Sequence, residues 1–290
     1  MKGIILAAGR GTRLYPLTKI VNKQLLQIYD KPMIYYPLST LLLLGIKDIL
    51  IITNPKDLKS FKNLLNDGSH LGVDIQYELQ YKPNGIADAF NIGKKFINNS
   101  NVCLILGDNI FYGHNFLNSI RTKIKSHTKG AMIFGYPVND PERYGVVEFS
   151  SNGKVKSIDE KPKKPKSNYA IPGLYIYDAN ACTFVKKIKP SPRNEYEITD
   201  LNKIYLKKNI LDVHLLGRGV AWLDTGTPKS LIEASNFISY IEQRQGLKIS
   251  CLEEIAYNQH LISLSQLEQN INQMPSGSYK DYLINFIETL

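Results

Sequence analysis

The sequence has few of the residues that staple a fold or anchor it in a membrane. Three cysteines occur in 290 residues. Cys103, Cys182 and Cys251 are an odd set with no Cys-x-x-Cys pair, which argues against a disulfide framework. The five histidines, His70, His114, His127, His214 and His260, never fall where two imidazoles converge from one helix, so no zinc site is expected. No window reaches the roughly 18 consecutive apolar residues of a membrane helix, and the apolar helical stretch Leu38 to Gly45 is far too short. The chain starts on Lys2-Gly3-Ile4-Ile5-Leu6, which reads as a strand without a signal-peptide pattern, so a cytoplasmic protein is expected. Acidic residues are the scarcer charge, 26 against 36 Lys and Arg, giving +10. That excess suits a partner carrying phosphate. The lysines are dispersed, however, and the densest cluster, Lys154 to Lys166, also holds Asp159 and Glu160. No RNA-binding aromatic motif or zinc finger accompanies them, so no nucleic-acid partner is expected.

What is present is the composition of a soluble globular protein of one or two domains, 43% hydrophobic and 21% charged. Gly3 to Ala7, Asp48 to Thr53, Val73 to Leu79, Val102 to Leu106 and Ala131 to Tyr136 read as strands. Met33 to Leu44, Pro55 to Leu65, Ile86 to Phe96 and Phe116 to His127 between them carry helical spacing. This alternation predicts an open, mostly parallel sheet with helices on both faces and ligands beyond the carboxyl ends of the strands. Tyr144 to Phe149 and Lys154 to Asp159, joined through Asn152-Gly153, predict an antiparallel insertion. A strand over Tyr169 to Tyr177, a helix over Ile198 to Lys208, strands Leu211 to Leu216 and Val220 to Leu223, and a helix over Thr227 to Gln245 follow. The parse is a catalytic domain, 1–246, and a helical segment, 247–290, whose apolar stripe must pack on that domain or on another subunit.

The first strand runs into Ala8-Gly9-Arg10-Gly11-Thr12-Arg13, a glycine-rich turn whose N–H groups can approach phosphate without Cβ interference. It is neither a GxxxxGK[ST] loop nor a full dinucleotide fingerprint. Arg13 and Lys23 fall in a segment of about 25 residues without clear elements, the mark of a working loop. Asp108 and Asp224 each end a strand; as hard oxygen ligands they could share Mg²⁺, or they could cap a turn and a helix respectively. Lys161, kept extended by Pro162, could hold a phosphate or be one lysine among many.

Taken in order, these motifs resemble a known family. Ile4-Ile5-Leu6-Ala7-Ala8-Gly9-Arg10-Gly11-Thr12-Arg13-Leu14, Pro16-Leu17-Thr18 and Lys31-Pro32-Met33 resemble the signature of the sugar-1-phosphate nucleotidylyltransferases. Leu106-Gly107-Asp108-Asn109-Ile110-Phe111-Tyr112-Gly113-His114, Asp140-Pro141-Glu142-Arg143-Tyr144-Gly145, Glu160-Lys161-Pro162, Glu197-Ile198-Thr199-Asp200 and Trp222-Leu223-Asp224-Thr225-Gly226-Thr227 resemble the glucose-1-phosphate thymidylyltransferases among them, and the resemblance covers the chain to about Ala256. It implies a Rossmann-like α/β nucleotidyltransferase fold joining dTTP and glucose 1-phosphate into dTDP-glucose and pyrophosphate. Mg²⁺ would be held by Asp108 and Asp224, with Arg13 and Lys23 on the triphosphate and Gly9, Gly11 and Thr12 as its cradle. Gln24, Gln80 and Gly85 would bind the nucleotide, with Ile86 against the base. Asn109, Tyr144, Gly145, Glu160, Lys161, Ile171 and Arg193 would bind the sugar phosphate. A homotetramer inhibited by dTDP-rhamnose at a second site is implied as well. Three positions depart from the family pattern: Ala8 and Asn194 where glycine is usual, and Asp88 where glutamine is usual.

Overall fold

The computed structural model describes residues 1–114, 116–126 and 129–290. Its strands in chain order are β1 (Lys2–Ala7), β2 (Gln27–Ile28), β3 (Lys31–Pro32), β4 (Asp48–Thr53), β5 (Asp74–Leu79), β6 (Val102–Leu106), β7 (Asn109–Tyr112), β8 (Ala131–Pro137), β9 (Gly145–Phe149), β10 (Val155–Glu160), β11 (Tyr169–Ala170), β12 (Leu174–Tyr177), β13 (Leu211–Leu215) and β14 (Ala221–Asp224). Ten of them form one mixed sheet in the order β10-β9-β11-β8-β12-β6-β1-β4-β5, with β13 parallel to β8. β6, β1, β4 and β5 are mutually parallel. β12 runs antiparallel between β6 and β8, so β8 and β13 point the same way as the parallel block. The insertion β9 to β11 is antiparallel at the other edge.

The central strands are apolar on both faces because helices cover both. Ile5, Ile51 and Ile105 point into one core with Leu38, Leu41 and Leu42 of the helix Tyr35–Leu43. Ile4, Leu50, Ile52 and Leu104 alternate into the other, against Phe90 and Tyr205. The tail helices Leu252–Asn258, Leu264–Gln273 and Ser278–Glu288 have no core of their own. Leu252, Ala256, Leu267, Ile271 and Leu283 enter the first core, so the tail buries its stripe on its own chain. Ile232, Tyr240 and Leu247, on and just after the helix Pro228–Gln245, remain exposed.

Several expected elements are broken in the structure. The strand over Tyr169 to Tyr177 divides into β11 and β12, because Pro172 has no N–H for a ladder and Gly173 bonds sideways to Asn109 instead. The helix over Ile86 to Phe96 is three short turns, Ile86–Asp88, Ala89–Ile92 and Lys94–Ile97, interrupted at Gly93. The helix from Phe116 runs to Ser126, and His127 lies outside the described residues. The segment after β1 holds three single 3₁₀ turns and the β2–β3 pair. No helix among the described residues is long and apolar enough to cross a membrane.

Candidate functional site

Two cavities open at the carboxyl ends of the parallel strands, and the glycine-rich loop after β1 contributes to both. The smaller, about 460 Å³, is lined by Gly9, Arg10, Lys23, Asp57, Gln80 and Tyr81 among others. The larger, about 600 Å³, takes Thr12 and Arg13 from the same loop. Gly11, not Ala8, adopts the left-handed backbone (φ +60°), which explains why alanine is tolerated at position 8. A Cβ on Gly11 would lie 2.8 Å from Thr18 Cγ2, whereas one on Gly9 would meet nothing within 4 Å. Gly11 is thus fixed by its own neighbours, and Gly9 leaves open space on the cavity side.

The two aspartates meet through strand pairing. β14 lies antiparallel to β7 with Asp224 opposite Asn109, and Thr225 Oγ1 donates to the Asp108 carbonyl at 2.9 Å. Asp108 forms an ion pair with buried Lys23 and accepts from Asn109 Nδ2 at 3.0 Å. Burial alone would raise the Asp108 pKa, but the charge and hydrogen bond of Lys23 hold it below the ordinary value. Burial raises the Asp224 pKa, the charge of Asp108 adds to that, and Lys23, Arg13 and Arg143 oppose it. Asp224 is therefore a carboxylate short of positive charge. Arg143, which the sequence reading did not single out, lies 3.7 Å from Asp224 and 2.6 Å from Asp140. Arg13 sits so close over Gly226 that a Cβ there would be 2.8 Å from the guanidinium. Among the described residues no group of three or more His, Cys, Asp or Glu could hold a metal. The oxygen pair suits a hard divalent cation that completes its shell with substrate phosphate and water.

The larger cavity is walled by Tyr144, Gly145, Glu160, Lys161, Ile171 and Arg193. Glu160 accepts from Thr199 Oγ1 at 2.5 Å and from Arg193 at 3.2 Å, and Arg193 also bonds Glu197 at 2.9 Å. Lys161 is not extended: its φ is +43°, with its N–H on the Tyr144 carbonyl at 3.0 Å. The following proline favours an extended residue, and the tie of the Lys161 N–H to the Tyr144 carbonyl overrides that preference. Asn194 also has positive φ, +63°, which accounts for the usual glycine and for asparagine in its place. Asn109, expected on the sugar, lines this cavity but is otherwise engaged. Its Oδ1 accepts from Trp222 Nε1 at 2.7 Å and Gly173 N at 2.9 Å, while Nδ2 holds Asp108. It is built to orient the aspartate.

On the nucleotide side, Gln80 lines the smaller cavity and Ile86 the larger, so the two residues expected against one base stand on either side of the turn between them. Gly85 closes that turn against the backbone of Tyr196: Tyr196 N–H donates to the Asn84 carbonyl at 2.6 Å and Ala87 N–H to the Tyr196 carbonyl at 3.1 Å. Gln24 lies outside both cavity linings, buried below Gly107, and its Oε1 has no hydrogen-bond partner.

Comparison with known proteins agrees with this geometry. The nucleotidyl transferase family profile matches residues 2–240. A Neisseria meningitidis glucose-1-phosphate thymidylyltransferase is 54% identical over 288 residues, covering 99% of this chain and 100% of that protein. A Bacillus anthracis crystal structure assigned as a glucose-1-phosphate thymidylyltransferase, with a sucrose bound, superimposes with a TM-score of 0.76 at 40% identity, covering 82% of this chain and 94% of that one. A UDP-glucose pyrophosphorylase solved with UDP-glucose gives 0.72 at 27% identity over 84% and 99%. Likeness of this degree, over nearly the full length, makes this chain a member of the nucleotidyl transferase family and, within it, of the glucose-1-phosphate thymidylyltransferases.

Proposed function

We propose that the chain transfers a thymidylyl group from dTTP to α-D-glucose 1-phosphate, giving dTDP-glucose and pyrophosphate. The observation that carries this is the convergence of Asp108, Asp224, Arg13 and Arg143 on the cavity that also holds Glu160, Lys161 and Arg193, with Lys23 reaching Asp108 from the adjoining cavity. The nucleotide lies along the loop shared by the two cavities, with its base at the Gln80 to Ile86 turn. Glucose 1-phosphate occupies the larger cavity, its hydroxyls on Glu160 and its phosphate near Lys161 and Arg193. A phosphate oxygen of the sugar attacks the α-phosphorus in line; the new P–O bond forms as the bond to the bridging oxygen of pyrophosphate breaks. Little covalent work falls to the protein, so the side chains act by positioning and charge. Arg13 and Lys23 neutralise the leaving pyrophosphate, Asn109 orients Asp108, and Arg143 restrains Asp224. Mg²⁺ held by Asp108 and Asp224 would supply charge neutralisation at the phosphates when bound.

We further infer a catalytic unit 1–246 with a tail, 247–290, in a cytoplasmic homotetramer that feeds the synthesis of dTDP-rhamnose and cell-surface polysaccharide. The exposed Ile232, Tyr240 and Leu247 support a subunit contact. A separate cavity of about 300 Å³, lined by Tyr112, Phe116, Lys248 and Glu254 among others, is the candidate place for inhibition by dTDP-rhamnose. Pyrophosphate release measured with dTTP, UTP, ATP and CTP and a few sugar phosphates tests the assignment. dTTP with glucose 1-phosphate is expected to be best and UTP poorer but measurable; equal use of ATP or CTP would refute the base reading.

A further inference from the structure

Asp88 is buried next to the base-side turn, and its partners are all amides. Its Oδ1 accepts from Asn91 Nδ2 at 3.1 Å, and its Oδ2 from Asn84 Nδ2 at 3.2 Å and, at 3.5 Å, from Gln80 Nε2. The same Gln80 Nε2 faces the Gly85 carbonyl at 3.4 Å. Both contacts of Gln80 are long, so their strength alone decides little. What decides is the alternative. Rotating the amide by half a turn would set Oε1 against a carboxylate and a carbonyl oxygen, two acceptors facing an acceptor between largely buried side chains.

We propose that Asp88 is a positioning residue for specificity: it holds the Gln80 amide with its NH₂ end inward, so that Oε1 is the end turned towards the nucleotide base. This rests on the reading that the base lies at Gln80. An acceptor at that point pairs with the N3–H of an imide base, thymine or uracil. Cytosine carries a lone pair at N3 and is opposed. An ionised carboxylate can only accept, so it enforces one orientation. The glutamine usual at position 88 could donate or accept, and would leave the choice to the Gly85 carbonyl alone. The acid therefore reaches base selection through Gln80 without touching the nucleotide.

The test is pyrophosphate release by the full chain with glucose 1-phosphate and either dTTP or dCTP, in Asp88→Asn, Asp88→Gln, Asp88→Glu and Gln80→Leu. In Asp88→Asn the ratio of kcat/KM for dTTP over dCTP is expected to fall about tenfold, the worth of one hydrogen bond. The change falls on the nucleotide KM, with the KM for glucose 1-phosphate unmoved. Asp88→Glu restores the ratio, because it restores an acceptor-only group. A merely structural role would lower both nucleotides together and leave the ratio alone. Should Asp88→Asn fail to fold, Asp88→Gln carries the same comparison. A lowered ratio in Gln80→Leu with an unchanged ratio in the neutral variants overturns the role of Asp88 while leaving the base reading intact. An unchanged ratio in Gln80→Leu removes the base reading itself, and this proposal with it.

Discussion

Replacing Gly85 by alanine separates the two halves of the site. Gly85 has φ +99° and ψ 170°, a region open to glycine and costing other residues about 1–3 kcal/mol. The added Cβ would stand 2.5 Å from the Tyr196 carbonyl oxygen and 2.6 Å from its nitrogen. Reaching an ordinary contact of 3.4 Å requires the two backbones to part by 3.4 − 2.5, about 0.9 Å. That motion breaks the two hydrogen bonds between Asn84, Ala87 and Tyr196, about 1 kcal/mol each. Together these give a loss of about 3–5 kcal/mol, a large part of the roughly 5–15 kcal/mol that holds a domain folded. The separating segments carry Gln80 on one side and Arg193 on the other, so the KM values for nucleotide and sugar phosphate should rise together. Urea unfolding and steady-state kinetics read both effects. Gly217→Ala, whose Cβ meets nothing within 4 Å, is the neutral control. A Gly85→Ala protein within about 1 kcal/mol of the parent, with both KM values unchanged, would show that the Gly85–Tyr196 contact does not couple the two sides.

Further outcomes follow from single contacts. Burial alone would raise the Asp30 pKa, but Lys248 and Lys31 bring it below 3.8, so its contribution is present above that pH and fades as pH falls through the folded value. Asp30→Asn should cost about 1–3 kcal/mol at pH 7, and chemical unfolding should show the gap closing below pH 3.8. Leu283→Ala, at a fully buried position where the tail enters the first core, should cost about 2–5 kcal/mol in thermal unfolding. Lys161→Gly relieves the positive φ but loses the amine. Its stability should stay level or rise by up to about 1 kcal/mol, while the KM for glucose 1-phosphate rises at least about tenfold, as expected for a lost charged contact to phosphate.

The parallel strands were legible because Ile4-Ile5-Leu6, Ile49 to Ile52 and Leu104-Ile105 are apolar whichever face they point to. The tail was legible as a set of stripes lacking a core. Harder to read were elements defined by long-range pairing. β7 is short and starts at the turn through Gly107 and Asp108, so nothing local distinguishes it from a loop until β14 pairs with it. The break in the Tyr169 to Tyr177 run was signalled by Pro172-Gly173, whose effect the surrounding aromatics concealed. Within the site, residues in recognisable motifs could be named, but not how they are engaged. Asn109 turns inward to Trp222, Lys161 is held left-handed by the Tyr144 carbonyl just before β9, Arg143 and Asp57 act through neighbours distant in sequence, and Asp88 acts through amides within eight residues of it. Asp57 is a case in point: it fixes Asn22 at 2.7 Å, and Asn22 Oδ1 caps the turn carrying Lys23 by accepting from Gln24 N–H at 2.9 Å.

If Asp108 and Asp224 act as one unit on the reacting phosphates, pyrophosphate release under Mg²⁺ titration by Asp108→Asn and Asp224→Asn should show it. Both variants should fold, and either substitution should lower turnover by at least about 10²-fold and shift half-activation to higher Mg²⁺. Turnover and Mg²⁺ dependence like the parent's in either variant would mean that the two carboxylates do not work together.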